Sequence, residues 1–171
     1  MSGEPESWLG GAIEGVEPQL MPVAHALVQV GRDLERVAAN VTPEELWARP
    51  GGAAPMGFHL QHVAGVLDRL FTYARGEELS PEQVRSMRGE GEHGEPPLDA
   101  AALLREALAS IDRSLAQVRA TPAASLLEPR HVGRKRLPSN VLGLLYHGAE
   151  HATRHTGQLV TTLKILRGSR G

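Results

Sequence analysis

The sequence predicts an all-α protein folded as a four-helix bundle with short extra helical turns and long loops. Four long segments carry apolar residues spaced three and four apart, the pattern of a helix with one buried face. The apolar residues are mostly Ala, Leu and Val, and only six of the 171 residues are aromatic, which favours helices over strands. Segments rich in Gly and Pro separate the four helices and mark them as distinct elements.

The first half of the chain predicts two of the long helices. Residues 1–17 are polar and Gly-rich and are expected to form a flexible lead-in to a single domain over residues 18–171. The first long helix begins at two closely spaced prolines and ends near residue 39. Thr42-Pro-Glu-Glu45 has an N-cap, a proline and acidic residues in order, and so predicts a short helix. The second long helix covers about residues 57–74.

The second half of the chain predicts the other two long helices. Ser80-Pro-Glu-Gln83 is another capped helix start, and residues 88–97 have the composition of a flexible loop. The third long helix covers about residues 98–119, and a long connection with some extended structure follows over 121–137. Pro138 is expected to open the last helix, which ends near residue 166. Because two of the connections are long and irregular, up-down-up-down wiring is only one of the alternatives.

The composition argues against several classes of function. A formal charge of -2 and few aromatic residues disfavour a nucleic-acid partner. The absence of cysteine excludes disulfides, thiolate metal sites and cysteine nucleophiles. No apolar run approaches the ~20 residues of a membrane span, and no signal peptide is recognisable, so a cytoplasmic protein is expected. The one basic run, Arg130–Arg136, is interpreted as a solvated loop rather than a phosphate-binding patch, because turn signals flank it.

Three histidines lie one turn apart on the last helix: His147, His151 and His155. Residues four apart share a helix face, with Cβ atoms roughly 5–6 Å apart, so neighbouring imidazoles can converge on one divalent ion. His147 and His155 are roughly 12 Å apart along the axis. Metal–nitrogen bonds are only ~2.0–2.1 Å long, so these two can hardly share an ion. The pair is therefore either His147 with His151 or His151 with His155.

Each pair requires a further ligand from elsewhere in the chain. His147-x-x-Glu150-His151 matches the pattern of inverted zinc peptidases, but these need a downstream carboxylate, and no Asp or Glu follows Glu150 here. The other pair requires a third ligand from the second helix, where His62 is the candidate and His59 its rival. Three protein nitrogens would leave open positions on the ion, which is what metal-assisted chemistry needs.

The remaining histidines are isolated in the sequence. They are expected to be structural or exposed to solvent, because a lone histidine is more often a hydrogen-bonded residue than a ligand; these are His25, His93 and His131.

Two short motifs carry a family resemblance. Phe58-His-Leu-Gln-His62, followed much later by His151-Ala-Thr-Arg-His155-Thr-Gly-Gln158, resembles the DinB/YfiT-like superfamily. Its members are four-helix bundles with a three-histidine metal site, one ligand on the second helix and a His-x-x-x-His pair on the last. The resemblance covers about residues 18–167 and implies the ligands His62, His151 and His155. Thr156 replaces the basic residue that is usual at that position.

The resemblance also implies chemistry. Zinc or nickel is the expected cofactor, with manganese or iron as alternatives. The implied function is a metal-dependent enzyme of the thiol transferase or hydrolase type, which activates a small thiol or water. The alternative is a non-catalytic, stress-associated or interaction protein whose ion staples two helices. A homodimer acting on a small molecule, such as a low-molecular-weight thiol, is expected, with no nucleic-acid or membrane partner.

Further residues are expected beside the site, although no catalytic residue is assigned. Gln158 is expected to hold a metal-bound water or a ligand histidine. His59 and His147 adjoin the motifs and are placed in the pocket without a defined role. Gly157 is expected either to allow close approach of another helix or to leave space for a substrate.

Overall fold

Apolar side chains repeat at helical spacing along four segments, and each of these segments forms a long helix. The computed structural model describes residues 5–95 and 97–168, so parts of the predicted lead-in and domain lie outside the described residues. The prediction of an all-α fold is confirmed. The long helices are α1 (Met21–Ala38), α3 (Met56–Ala74), α5 (Ala100–Ala120) and α6 (Val141–Gly168). The short elements are α2 (Pro43–Trp47), α4 (Pro81–Arg88) and the strands β1 (Pro129–Val132) and β2 (Leu137–Asn140).

The four long helices enclose one hydrophobic core. Each contributes fully or almost fully buried aliphatic side chains, and burying one of them stabilises the fold by roughly 1.5–3 kcal/mol. Representative core residues are Leu27, Leu34, Leu60, Leu67, Ile111, Leu145 and Leu159. Leu104 and Leu108 of α5 are only partly buried and pack against the edge of this core.

The connections between the long helices differ from simple up-down-up-down wiring. Helix α1 packs against α5 and α6, and α3 packs against the same two, so α1 and α3 occupy opposite corners of the bundle. Helices α3 and α5 are parallel neighbours. Ser110 Oγ donates a hydrogen bond to the carbonyl of Ala64, and seven residues later Gln117 Nε2 donates to the carbonyl of Phe71. The segment between these two helices must therefore run back along the bundle.

Helices α3 and α6 pack closely in opposite directions. His59, near the start of α3, meets His155 in the second half of α6, whereas Phe71 lies against Gly148. A Cβ atom at Gly148 would lie 3.0 Å from Cε2 of Phe71, so the glycine is what permits this approach. The close packing of these two helices positions the histidine cluster described below.

Both predicted short helices have the caps expected from the sequence. In α2, Thr42 Oγ1 accepts a hydrogen bond from the backbone N–H of Glu45, whose carboxylate accepts one from the N–H of Thr42. Ser80 and Gln83 make the same reciprocal pair at the start of α4. These caps satisfy backbone donors that a helix start leaves unpaired.

The last helix begins later than expected. Pro138 was predicted to open it, but that prediction is wrong: Pro138 lies in β2, opposite His131 of β1, in a two-stranded antiparallel sheet. A proline fits there because a strand at a sheet edge can lack a hydrogen-bond donor. Helix α6 starts at Val141, and Asn140 Oδ1 accepts a hydrogen bond from the N–H of Gly143 at 2.7 Å.

The described part of the predicted lead-in contains a 3-10 turn over Ser7–Gly10. Ser7 Oγ and His25 Nδ1 are hydrogen-bonded at 3.1 Å, and both residues are buried. The Ser7 N–H also donates to Oε1 of Gln29 at 3.0 Å, so the turn is held against α1. Among the described helices, none combines the length and apolarity that crossing a bilayer requires.

Candidate metal centre

Helices α3 and α6 bring three predicted site histidines together. Nε2 of His62 lies 2.9 Å from Nε2 of His151. The ring centroid of His155 is 4.3 Å from that of His62 and 4.7 Å from that of His151. One nitrogen from each residue lies within 4.8 Å of the other two, and all three residues are partly buried. His151 and His155 share a face of α6 because they are four residues apart.

This arrangement fits a divalent metal ion. Two nitrogens bonded to one ion at ~2.0–2.1 Å are about 2.9 Å apart at a right angle and about 3.3 Å apart at a tetrahedral angle. The separation between the Nε2 atoms of His62 and His151 is of this size. On the other side of that ring, Nδ1 of His151 is buried without a hydrogen-bond partner among the described residues. Neutral imidazole nitrogens are common ligands of divalent transition metals, so the three histidines could hold such an ion.

His59 lies behind the cluster and contacts His155. Their Nδ1 atoms are 3.0 Å apart, so one ring donates a hydrogen bond and the other accepts it. This bond uses Nδ1 of His155 and leaves Nε2 as the nitrogen available to a metal. His59 is buried and does not belong to the group of three. It can therefore orient His155, although the sequence presented it as a rival of His62.

A carboxylate that the sequence did not single out holds His62 in place. Oε2 of Glu90 lies 2.6 Å from Nδ1 of His62, and Oε1 lies 2.5 Å from Nη1 of Arg69. The side chain of Glu90 is only 8% exposed. Because an ionised carboxylate can only accept, Nδ1 of His62 carries the proton and Nε2 keeps the lone pair that a metal requires.

The segment around Glu90 is anchored to α3. Gln61 Oε1 accepts a hydrogen bond from the N–H of Gly91 at 2.6 Å, and its Nε2 donates to the carbonyl of Glu92 at 3.1 Å. A Cβ atom at Gly65 would collide with Oε1 of Glu90. The sequence predicted only a flexible loop here. Gly65, which lies inside α3 one turn from His62, was the signal in the sequence that another side chain approaches the helix closely.

Burial and neighbouring histidines lower the pKa of three imidazoles in and beside the cluster. Burial, followed by the neighbouring His62, lowers the pKa of His59 to about 4 and that of His155 to about 4. Burial and His62 also lower the pKa of His151. Neutral imidazoles retain the lone pairs that bind metals.

The pKa of Glu90 is also lowered. Burial works in the opposite direction, but the hydrogen bonds from His62 and Arg69 and the charge of Arg69 outweigh it. The carboxylate beside His62 is therefore ionised at neutral pH and acts as an acceptor.

The alternative pair from the sequence also forms a group. Nitrogens of His147 and His151 and an oxygen of Glu150 lie within 4.8 Å of one another. However, Arg154 binds Oε1 of Glu150, with its Nε at 3.1 Å, and His147 is half exposed. Both groups use His151. In the part of the chain that the structure describes, the donors of the His62 group are more buried and none is bonded to an arginine, so this group is the better candidate.

The three residues that follow His155 lie in different surroundings. Gln158 is exposed, and its side chain makes no hydrogen bond with the histidine cluster within the described ranges, so its role stays a prediction. A Cβ at Gly157 would meet no atom within 4 Å, so this glycine does not serve a close helix contact and leaves open space instead. Thr156 is buried and donates to the carbonyl of Ala152, a position that suits a small residue.

The sequence was compared with known families and proteins. Residues 26–159, well over half of the chain, match the family described as the DinB superfamily. The chain belongs to the DinB superfamily. The matched range contains the three clustered histidines and Glu90. No curated protein matched the chain. In this DinB superfamily member, a partly buried histidine triad capable of binding a metal therefore joins the second and fourth long helices.

Proposed function

We propose that this protein is a metal-dependent enzyme that binds a divalent ion through His62, His151 and His155 and activates a small thiol or water. One observation carries the proposal: imidazole nitrogens from α3 and α6 converge, while Glu90 holds the first of these rings from behind. The membership in the DinB superfamily supports it. Zinc or nickel is the preferred ion because all donors are nitrogens, and manganese or iron is the alternative.

The chain's own side chains prepare the site. Glu90 keeps the Nε2 lone pair of His62 aimed at the cluster, and His59 contacts the distal nitrogen of His155. An ion bound only to imidazole nitrogens would retain its full charge, and it would lower the pKa of a thiol or water bound to it.

The proposed substrate is a small molecule attacked by a low-molecular-weight thiol or by water. We also propose a cytoplasmic homodimer, without nucleic-acid or membrane partners; size-exclusion chromatography with light scattering tests the dimer.

A second function is favoured by one feature of the fold. The ligands lie on two helices that already pack together through Phe71 and Gly148, so a bound ion would staple them. A non-catalytic, stress-associated or interaction protein would need the ion only for this purpose. Removing a ligand would then lower the melting temperature, and no substrate would be converted.

The decisive experiment combines metal analysis with turnover. Protein purified without an affinity tag is analysed for bound metal, and the loaded protein is then incubated with a thiol and a generic electrophile. The proposed enzyme contains about one ion per chain and converts the electrophile, whereas His155→Ala does neither. His147→Ala is the matched control and keeps both properties. Metal binding without turnover of any thiol or ester would favour the staple, and absence of metal would refute both functions.

A further inference from the structure

A large cleft lies away from the histidine cluster. It has a volume of about 930 Å³ and is formed by the end of α3, by α4 and by the β1–β2 hairpin. Tyr73, on its α3 wall, comes eleven residues after His62, which corresponds to roughly 16 Å along the helix. A cavity of this size accommodates a small organic molecule. The cleft is therefore a separate candidate binding site.

The lining of this cleft carries an excess of positive charge. Four arginines line it, at positions 88, 130, 134 and 136, against two glutamates, Glu77 and Glu78. Glu77 is already bound by Arg75, whose Nη2 lies 2.7 Å from its Oε2. Within residues 5–95 and 97–168, Arg88 and Arg134 form no ion pair with a carboxylate. Their charges are available to an anionic ligand.

Two of the cationic side chains are held in position. Nε of Arg130 donates to the carbonyl of Ala74 at 2.8 Å, and its Nη2 contacts Oε2 of Glu128 at 3.0 Å. Arg136 donates from Nη2 to Nδ1 of His131 at 3.2 Å. Because His131 accepts at Nδ1, its proton is on Nε2, which adds a further hydrogen-bond donor to the lining.

Arg136 also has an unusual backbone conformation. Its φ angle is +49°, and no other non-glycine residue in the described part of the chain has a positive φ. Glycine or asparagine is the ordinary residue at such a turn position. A strained residue points to a function for its side chain. This observation is independent of the charge count.

We propose that this cleft, here called the arginine cleft, binds a small organic anion through a phosphate or carboxylate group. The planar guanidinium groups match both oxyanions with paired hydrogen bonds. Leu79, Val84 and Met87 provide an apolar wall for the organic part of the molecule. The basic run Arg130–Arg136, interpreted from the sequence as a solvated loop, contributes three of the four arginines of this proposed site. The proposal does not depend on the metal centre.

Calorimetric titration of the full chain tests the arginine cleft. Phenyl phosphate and phthalate are suitable probes, since both are aromatic dianions, one with a single phosphate group and the other with two carboxylates. Binding at one site is expected, weakened about tenfold or more in Arg134→Ala and in Arg136→Gly. Arg136→Gly also relieves the backbone strain, so its melting temperature should not fall, and lost binding cannot result from unfolding.

The matched control is Arg113→Ala. Arg113 is exposed on α5 and pairs with Glu106, outside the cleft. The Arg113→Ala variant should bind both probes with the same affinity as the unmodified protein. Saturable binding of phenyl phosphate alone would assign a phosphate ligand, and binding of phthalate would assign a carboxylate ligand. The proposal is overturned by the absence of saturable binding for both probes, or by equal weakening in Arg113→Ala.

Discussion

Glu90 Oε2 and His62 Nδ1 are 2.6 Å apart, although 28 residues separate the two in the chain. The contact joins a segment with loop composition to the one candidate ligand contributed by α3. Such a carboxylate behind an imidazole selects its tautomer, restricts its rotation and raises its basicity toward a metal. The relationship implies that the candidate centre includes residues outside the histidine motifs.

Replacing Glu90 by glutamine should weaken metal binding about 10- to 100-fold, because the amide accepts a weaker hydrogen bond and cannot favour one tautomer of His62 as strongly. Competition with a chromophoric chelator measures the affinity. Nitrogen NMR of the His62 ring reports the tautomer directly, which a general loss of stability would not change. Glu92→Gln, two residues along on an exposed side chain, is the control. Equal affinities for the two variants would contradict the assigned role of Glu90.

Single replacement of the clustered histidines by alanine should distinguish the two metal groups. Loss of His62 or His155 should abolish stoichiometric binding, because each would supply one of the three donors of the proposed centre. Loss of His147 should leave binding intact. Elemental analysis after dialysis measures the ratio of metal to protein. The opposite pattern, with His147 essential and His62 dispensable, would indicate the group that includes Glu150.

Removal of the metal should lower the melting temperature. An ion that binds only the folded chain stabilises it by about 2.7 kcal/mol when its free concentration is one hundred times Kd. Calorimetry with and without a chelator measures the difference for the original chain and for His155→Ala. The variant lacks a ligand, so the chelator should leave its melting temperature unchanged. A chelator effect of the same size in both proteins would place the ion elsewhere.

Two glycines in long helices should respond oppositely to alanine. A Cβ at Gly57 would lie 2.5 Å from Cζ3 of Trp47, so Gly57→Ala should cost about 1–3 kcal/mol through overpacking. A Cβ at Gly157 would meet open space, so Gly157→Ala should stabilise the helix by about 0.5–1 kcal/mol. Urea unfolding of both variants tests the pair. Destabilisation by Gly157→Ala would mean that the surroundings of α6 are not open.

Much of the secondary structure was predictable because its causes are local. Apolar spacing predicted α1, α3, α5 and α6 to within a few residues, and the Thr42–Glu45 and Ser80–Gln83 pairs predicted two caps that the structure contains. The common face of His151 and His155 follows from helix geometry in the same way. The predicted start of α6 at Pro138 was wrong because a proline suits a strand at a sheet edge as well as a helix start.

The sequence by itself determined the helical character of the chain, the extent of its long helices and the pair of imidazoles on α6, because neighbours in the chain decide these features. The family resemblance implied His62 as the ligand from α3. Only the tertiary structure decided that His59 contacts His155, that α3 and α5 run parallel, and that Glu90 lies behind His62. Those contacts depend on how distant segments pack, and packing is determined by the whole core rather than by any local pattern of residues.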